Sequence, residues 1–165
     1  MNRRELLGAC TVLVPAWLLG CAATTTVSAS TLASDANLVA SGLSAVLAGI
    51  TPLTGAASAP ITTLQGYLKT IEADTATVAA QAASGATASA SVVQEIASLV
   101  ETFAPIALSL IPGGSALVTI VDAATSLLPA LLSAVGIAAA SPTPPMYTPA
   151  RARAILAPYA RTTGR

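Results

Sequence analysis

Histidine is absent from this chain of 165 residues, and cysteine occurs only twice. Because there is no imidazole, a Ser-His-Asp triad, histidine acid–base catalysis and histidine ligands to a metal are excluded. Phosphate-binding glycine loops, the dinucleotide fingerprint and the GxSxG nucleophile turn are missing too. We therefore expect no catalytic residue, no metal site and no bound cofactor, in a protein that is not an enzyme.

Charged residues (8%) and aromatic residues (3%) are scarce, and the formal net charge is zero. A chain without a basic excess or interleaved aromatic residues lacks the features of a nucleic-acid-binding surface. The acidic residues suggest no glycosidase pair. Neither Glu72 with Asp74 nor Glu95 with Glu101 has the spacing of three or four that places neighbours on one helix face. We expect these carboxylates to lie on a solvated face, and no small-molecule substrate is evident.

The N-terminus has the pattern of an export signal. Arg3 and Arg4 precede residues 6–19, which carry no charge. A basic segment followed by about 7–15 apolar residues is typical of such signals, and a transmembrane helix needs about 20. Residues 2–7 also resemble a twin-arginine motif, without its usual Ser or Thr before the arginines and Lys after the apolar pair. Residues 1–20 are thus interpreted as a signal peptide, exported by ordinary secretion or by the twin-arginine route.

The apolar run ends in the sequence LLGC at residues 18–21, which resembles the lipobox of bacterial lipoprotein precursors. The resemblance covers residues 1–22 only. It implies that the Cys21 thiol is joined to a diacylglycerol, that the signal is cut between Gly20 and Cys21, and that the new amine is acylated, for example by palmitate. A second lipobox-like sequence ends at Cys10, but too few apolar residues precede it for a signal core. We expect Cys10 to be discarded with the signal.

The residue after the lipidated cysteine bears on localisation. In lipoproteins of diderm bacteria, the resemblance implies, an aspartate at that place favours retention in the inner membrane. Here the place is taken by Ala22. For a diderm source we expect an exported protein anchored in the outer membrane and facing the periplasm. Its expected partners are the membrane, through the lipid anchor, and an envelope protein, with no nucleic acid.

The mature chain is predicted to be all-α, a small alanine-rich helical bundle over residues 34–140 behind a flexible tether at 21–33. In the first helix, Ser34 or Asp35 is expected to be the N-cap. The second helix is the clearest, because its apolar residues recur in steps of three and four. These residues are Ile61, Leu64, Leu68, Ile71, Thr75, Val78 and Ala82.

A third helix is predicted to begin with a capping box formed by Ser91 and Gln94 and to end near Pro105. A turn is expected at residues 112–114, where the sequence is Pro-Gly-Gly. The apolar stripe of this third helix is predicted to consist of Val92, Ile96, Leu99 and Phe103.

Residues 115–140 form the most apolar long segment of the mature chain and allow two interpretations. A transmembrane helix is possible by length. A core helix of the bundle is favoured, because a carboxylate such as Asp122 in mid-membrane costs about 2.5–3.5 kcal/mol. The expected buried stripe is Leu117, Val121, Ala124, Leu128, Leu131 and Val135, and the expected polar side is Thr119, Asp122, Ser126 and Ser133.

The C-terminal residues 141–165 are predicted to be a disordered, proline-rich linker followed by a basic, frayed tail. Two functions fit the whole pattern. The first is a non-enzymatic cell-envelope lipoprotein that acts as a structural or interaction module. The alternative is a membrane-active protein, pore-forming or lysis-type, that inserts residues 106–140 as a helical hairpin.

Overall fold

The computed structural model describes residues 28–54, 58–138 and 144–160. Within these ranges the chain has five helices and no strand, so the predicted all-α fold is confirmed. The helices are α1 (Ala29–Thr54), α2 (Ala59–Ala83), α3 (Ala90–Leu110), α4 (Ala116–Ala134) and α5 (Pro149–Ala160).

Helices α1 to α4 form an up-and-down bundle in which each helix packs on the next and α4 closes against α1. The direction of α4 follows from its contacts with α1, since Gly49 lies against Leu117 at the start of α4. Helix α5 lies against α1 and α4. Helix α5 runs parallel to α1. Arg153 pairs with Asp35, and Leu156, further along α5, contacts Gly42, which is further along α1.

The core of the bundle is filled mostly by alanine, valine, leucine and isoleucine, and Phe103 is its largest fully buried side chain. On α2 the predicted stripe is confirmed at six of its seven positions, including its single polar member, Thr75, whereas Ala82 is only half-buried. The buried residues of this helix are Ile61, Leu64, Leu68, Ile71, Thr75 and Val78.

The predicted stripe of α3 is wrong at two of its four positions. Val92 and Leu99 are only half-buried, whereas the residues that follow them, Val93 and Val100, are buried. Each error falls on a pair of adjacent apolar residues, where three-and-four spacing fits either member. The neighbouring helices decide between them, and the buried face of α3 is turned accordingly.

Both predicted N-caps are wrong. Helix α1 begins five residues before Ser34, and the Ser28 hydroxyl accepts a hydrogen bond from Thr31 N at 3.2 Å. Residues 29–33, the last five of the predicted tether at 21–33, are therefore helical. Ser28 has the same capping group as Ser34 and starts the helix earlier in the chain. At α3 the cap is Ser89, and Ser91 lies inside the first turn with its hydroxyl 2.8 Å from the Ser89 hydroxyl.

Proline placement also differs from expectation. Helix α3 continues through Pro105 to Leu110, so that proline does not end it. The predicted turn at 112–114 is confirmed, with Gly114 at φ +81°, in the left-handed region that favours glycine. The Ser115 hydroxyl then caps α4 by accepting a hydrogen bond from Leu117 N at 3.1 Å.

The predicted disorder of the tail is wrong for residues 149–160, which form α5. Ala152 and Leu156, one helical turn apart, are fully buried against the bundle. A segment with only two large aliphatic residues, Ile155 and Leu156, has a weak helical pattern of its own, and its packing surface is supplied by α1 and α4. The residues 139–143 and 161–165 lie outside the described part of the chain.

The structure places α4 in the bundle core, as the favoured interpretation of residues 115–140 predicts. Four of the six expected stripe residues are buried, while Leu117 and Val135 are half-buried. Length and composition alone would nevertheless allow three of the described helices, α1, α3 and α4, to cross a membrane. Membrane association is therefore compatible with the fold through more helices than the sequence pattern indicated.

Candidate functional site

The predicted lipidation and cleavage residues, Cys21 and Gly20, lie outside the described residues, as does Cys10. The structure nevertheless limits where an anchor at Cys21 could hold the bundle. Ser28, at the start of α1, is seven residues further along the chain. Seven residues span at most about 25 Å when fully extended. The end of the bundle that contains the start of α1 must therefore lie within that distance of an acylated Cys21.

We call this end, residues 28–32, 83–90 and 132–138, the proximal end. It carries no charged residue, and its exposed side chains are small or hydroxylated. A shallow cavity of about 230 Å³ opens between the start of α1, the α2–α3 loop and the end of α4. Ala29, Leu32, Ala88 and Val135 are among the residues that line it.

The opposite end of the bundle, which we call the distal cap, comprises residues 48–54, 58–66 and 105–118. It contains the end of α1, the start of α2 and the α3–α4 turn, and it is also free of charged residues. Unlike the proximal end, it exposes two large apolar side chains, Leu53 (58% exposed) and Leu108 (37% exposed).

All charged residues of the described helices lie between these two ends. They are Asp35, Lys69, Glu72, Asp74, Glu95, Glu101, Asp122, Arg151 and Arg153. The bundle therefore has a charged middle and two uncharged ends, a division that the composition alone does not reveal.

Asp35 and Arg153 form the one ion pair found among the described residues. Arg153 Nε donates to Asp35 Oδ1 at 2.6 Å and Arg153 Nη2 donates to Oδ2 at 2.7 Å, in the bidentate geometry that favours arginine. The Asp35 side chain is 4% exposed and that of Arg153 38%. The hydrogen bonds to Asp35 raise the pKa of Arg153. The pair fastens α5 to α1, and Asp35 is thus a partner in a tertiary contact rather than a cap.

A second polar contact holds the segment before α5. Tyr147 N donates to the Ser126 hydroxyl at 3.2 Å, and that hydroxyl donates to the Asp122 carbonyl oxygen at 2.6 Å. Ser126 is 2% exposed, so its predicted place on the polar side of α4, opposite the buried stripe, is wrong. The hydroxyl can be buried because it accepts the hydrogen bond from Tyr147 N, a backbone group that also lies away from water.

The remaining carboxylates only partly fit the predicted solvated face. Glu72, Glu95 and Glu101 are exposed, but Asp74 is half-buried and its Oδ2 has no hydrogen-bond partner among the described residues. Desolvation, and then the nearby charge of Glu95, raise the pKa of Asp74. Burial alone raises the pKa of Asp122. Asp74 on α2 thus lies close enough to Glu95 on α3 for that charge to act on it, a relation across two helices that sequence spacing could not indicate.

A groove of about 410 Å³ follows the seam between α1 and α2. Its polar lining comes from Asn37, Ser41, Glu72 and Thr75, and the rest is alanine. The Thr75 hydroxyl is buried and has no hydrogen-bond partner among the described residues. The groove offers one carboxylate and neutral hydroxyl and amide groups, and the described residues contain no group of three or more potential metal ligands.

No known protein family, characterised protein or solved structure shows a significant match to this chain.

Proposed function

We propose that this protein is a bacterial cell-envelope lipoprotein, held at a membrane by an acylated Cys21, whose helical bundle is a non-enzymatic structural or interaction module. The observation that carries the proposal is the LLGC sequence at residues 18–21, at the end of an uncharged run that follows Arg3 and Arg4. The helical bundle begins at Ala29, directly after the short segment that would follow cleavage.

The geometry of the proximal end supports this function. A tether of at most about 25 Å keeps that end close to the bilayer. Because the proximal end has no charged residue, it meets no repulsion from anionic head groups and requires no counter-charge there. The charged middle, where a polar partner would find its contacts, is held away from the membrane along the axis of α1.

The two cysteines provide a matched experiment. Cys21→Ser should leave an unprocessed precursor that lacks acyl chains, while Cys10→Ser should mature as the native chain does. Processing is read from the shift in mass on a gel, and acylation from partition into the detergent phase. Equal processing and partition of the native and Cys21→Ser chains would contradict the proposal. Loss of both on Cys10→Ser alone would move the anchor to the other cysteine.

Localisation is tested by the residue after the anchor. For a diderm source we expect the native chain in the outer membrane, since Ala22 provides no retention signal. Ala22→Asp should move the protein to the inner-membrane fraction, and Ala23→Asp, one residue further, should have a smaller effect. Separation of the two membranes by density measures both. An inner-membrane location for the native chain would contradict the proposed route.

A second candidate function, a membrane-active hairpin, is favoured by one specific observation. Helices α3 and α4 are each long and apolar enough to span a membrane, and residues 102–121, which include the end of α3, the turn and the start of α4, carry no charge. In this function the two helices leave the bundle and insert, and vesicles should release a trapped dye. A chain that binds vesicles without dye release would contradict insertion of the hairpin.

A further inference from the structure

We propose that the groove between α1 and α4, which holds α5, is also a docking site for the α5 of a second copy of this chain, so that two copies exchange this helix. The groove consists of described residues only, and it is a helix-binding groove because α5 lies in it. Exchange of an identical element is a low-cost route to a dimer, since the same contacts form again between the two copies. The proposal does not depend on acylation of Cys21.

The first argument is that the groove recognises its helix at specific positions. Gly42 on α1 leaves room for the side chain of Leu156, because a Cβ there would lie 2.6 Å from Leu156 Cδ2. On the same helix the Asp35 carboxylate accepts two hydrogen bonds from Arg153 and is 4% exposed. A helix that fills the groove must therefore bring an arginine and, three residues later, a leucine. Every copy of this chain carries that pair.

The second argument is that α5 is separable from the rest of the bundle. Among the described helices it packs on α1 and α4 alone, and α1 and α4 also pack directly on each other. Ala152 and Leu156 are the fully buried residues of α5. Departure of α5 therefore breaks no contact between the other four helices, and the groove keeps its two walls.

The third argument is the length of the connection between α4 and α5. The other three connections have four to six residues, whereas this one, residues 135–148, has fourteen. Tyr147 N is bonded to the Ser126 hydroxyl, which lies only about 12 Å back along α4 from Ala134. The twelve residues between Ala134 and Tyr147 span up to about 45 Å when fully extended. The surplus length is enough to reach the groove of an adjacent copy.

The fourth argument is the charge of the helices that meet. The charged residues of α1 and α4 are both acidic, Asp35 and Asp122. Those of α5 are both basic, Arg151 and Arg153. Complementary charge steers an approaching partner and disfavours wrong ones. The groove of a second copy therefore attracts an α5 that has left its own groove.

The test reverses the ion pair in the chain from Ala22 onward, which retains every described residue. Asp35→Arg in one sample opposes Arg153 of its own chain, and Arg153→Asp in a second sample opposes Asp35. When the two variants are mixed, both opposite-charge pairs form only if the chains exchange α5. A linked helix has an effective concentration in the millimolar range, so the native chain should dimerise only near that concentration. The mixture should dimerise at a concentration at least about tenfold lower, measured by sedimentation.

The matched control carries Asp35→Arg and Arg153→Asp in one chain. This chain restores the pair within each copy and should dimerise as weakly as the native chain. A mixture that stays monomeric at millimolar concentration would overturn the proposal. A dimer of the same strength in the control, or in either variant alone, would also overturn it, because that dimer would form through another surface.

A second pair of variants keeps the proposal testable if charge reversal prevents folding, which circular dichroism shows. Gly42→Val closes the groove and leaves α5 native, whereas Leu156→Asp alters α5 and leaves the groove native. Each should be monomeric alone, and their mixture at millimolar concentration should contain a heterodimer. Hydrogen exchange in α5 of the Gly42→Val chain should become slower on mixing. A monomeric mixture in which that exchange stays fast would rule out a second copy as the occupant of the groove.

Discussion

The four-helix core and α5 are held in place by different means. In the core, long stripes of aliphatic side chains face one another, and α2 alone buries six residues. Helix α5 buries only Ala152 and Leu156, with Ile155 and Tyr159 half-buried against the core, and it meets α1 through the contact of Leu156 with Gly42 and through one ion pair. Apolar area holds the core, and complementarity at a few positions holds α5.

This difference implies unequal stability. Burial of one leucine contributes about 1.5–3 kcal/mol, and the Asp35–Arg153 pair adds little more because Arg153 remains partly exposed. The core buries many such side chains. We therefore expect α5 to detach before the core unfolds, as a separate unit of local opening.

The largest expected effect is in the core. Phe103→Ala removes its largest fully buried side chain and should lower the free energy of unfolding by about 3–5 kcal/mol. Denaturant unfolding followed by circular dichroism measures this. Because the cavity that this substitution creates lies in the core shared by the helices, all helices should lose stability together. A loss below about 1 kcal/mol would contradict the role given to this core.

The next effect separates α5 from the core. A Cβ at Gly42 would lie 2.6 Å from Leu156 Cδ2 and 3.3 Å from Ile120 Cγ2. Gly42→Val should therefore displace α5 at a cost of about 1–3 kcal/mol. Hydrogen exchange should become faster in α5 and stay slow in α2 and α3.

Gly66 is the matched control for that substitution, since it is also helical but a Cβ there would meet no atom within 4 Å apart from the backbone of its own helix. Gly66→Ala should stabilise the chain by up to about 1 kcal/mol through helix propensity. If Gly42→Val leaves hydrogen exchange in α5 unchanged, the close contact with Leu156 does not hold α5 in place.

The same contrast explains what sequence patterns could predict. The stripe of α2 was predictable because all of its valine, leucine and isoleucine residues lie on that stripe, with no second aliphatic residue of that size beside any of them. The stripe of α3 was ambiguous at the pairs Val92-Val93 and Leu99-Val100. Helix α5 was missed because residues 118 positions apart form its ion pair, and local spacing carries no information on such a contact. The distal cap and the charged middle likewise depend on which helix ends lie together in the bundle, and local spacing does not predict this.

The ion pair can be tested by a double-mutant cycle. Asp35→Asn and Arg153→Gln should each destabilise α5, and the double variant should lose less than the sum of the two. We expect a coupling of about 1 kcal/mol, near the upper end for a partly exposed pair. Arg151→Gln, on the exposed side of α5, is the control and should have little effect. A coupling near zero would show that the pair does not fasten α5.

The smallest expected effect concerns Asp74 and Asp122, which, among the described residues, have no ion-pair partner of the kind that Asp35 has in Arg153. The raised pKa values of Asp74 and Asp122 mean that the folded chain binds protons more readily than the unfolded chain. The free energy of unfolding should therefore rise as the pH falls through these pKa values, and decrease as the pH rises through them.

Asp74→Asn should stabilise the protein near neutral pH by roughly 0.5 kcal/mol or less, because Asp74 is partly exposed. It should also flatten the pH dependence of unfolding in the acidic range. Glu101→Gln, at an exposed position, is the control. A native stability that only falls on mild acidification, with Asp74→Asn unchanged, would contradict this assignment.

The most direct test of the proposed function is the mass of the N-terminal tryptic peptide of the protein extracted from membranes. Cleavage before Cys21 and acylation predict a peptide from Cys21 to Lys69 that carries a diacylglycerol and one further acyl chain. No peptide from residues 1–20 should accompany it. An unmodified Cys21 within a peptide that continues upstream would contradict the lipoprotein assignment.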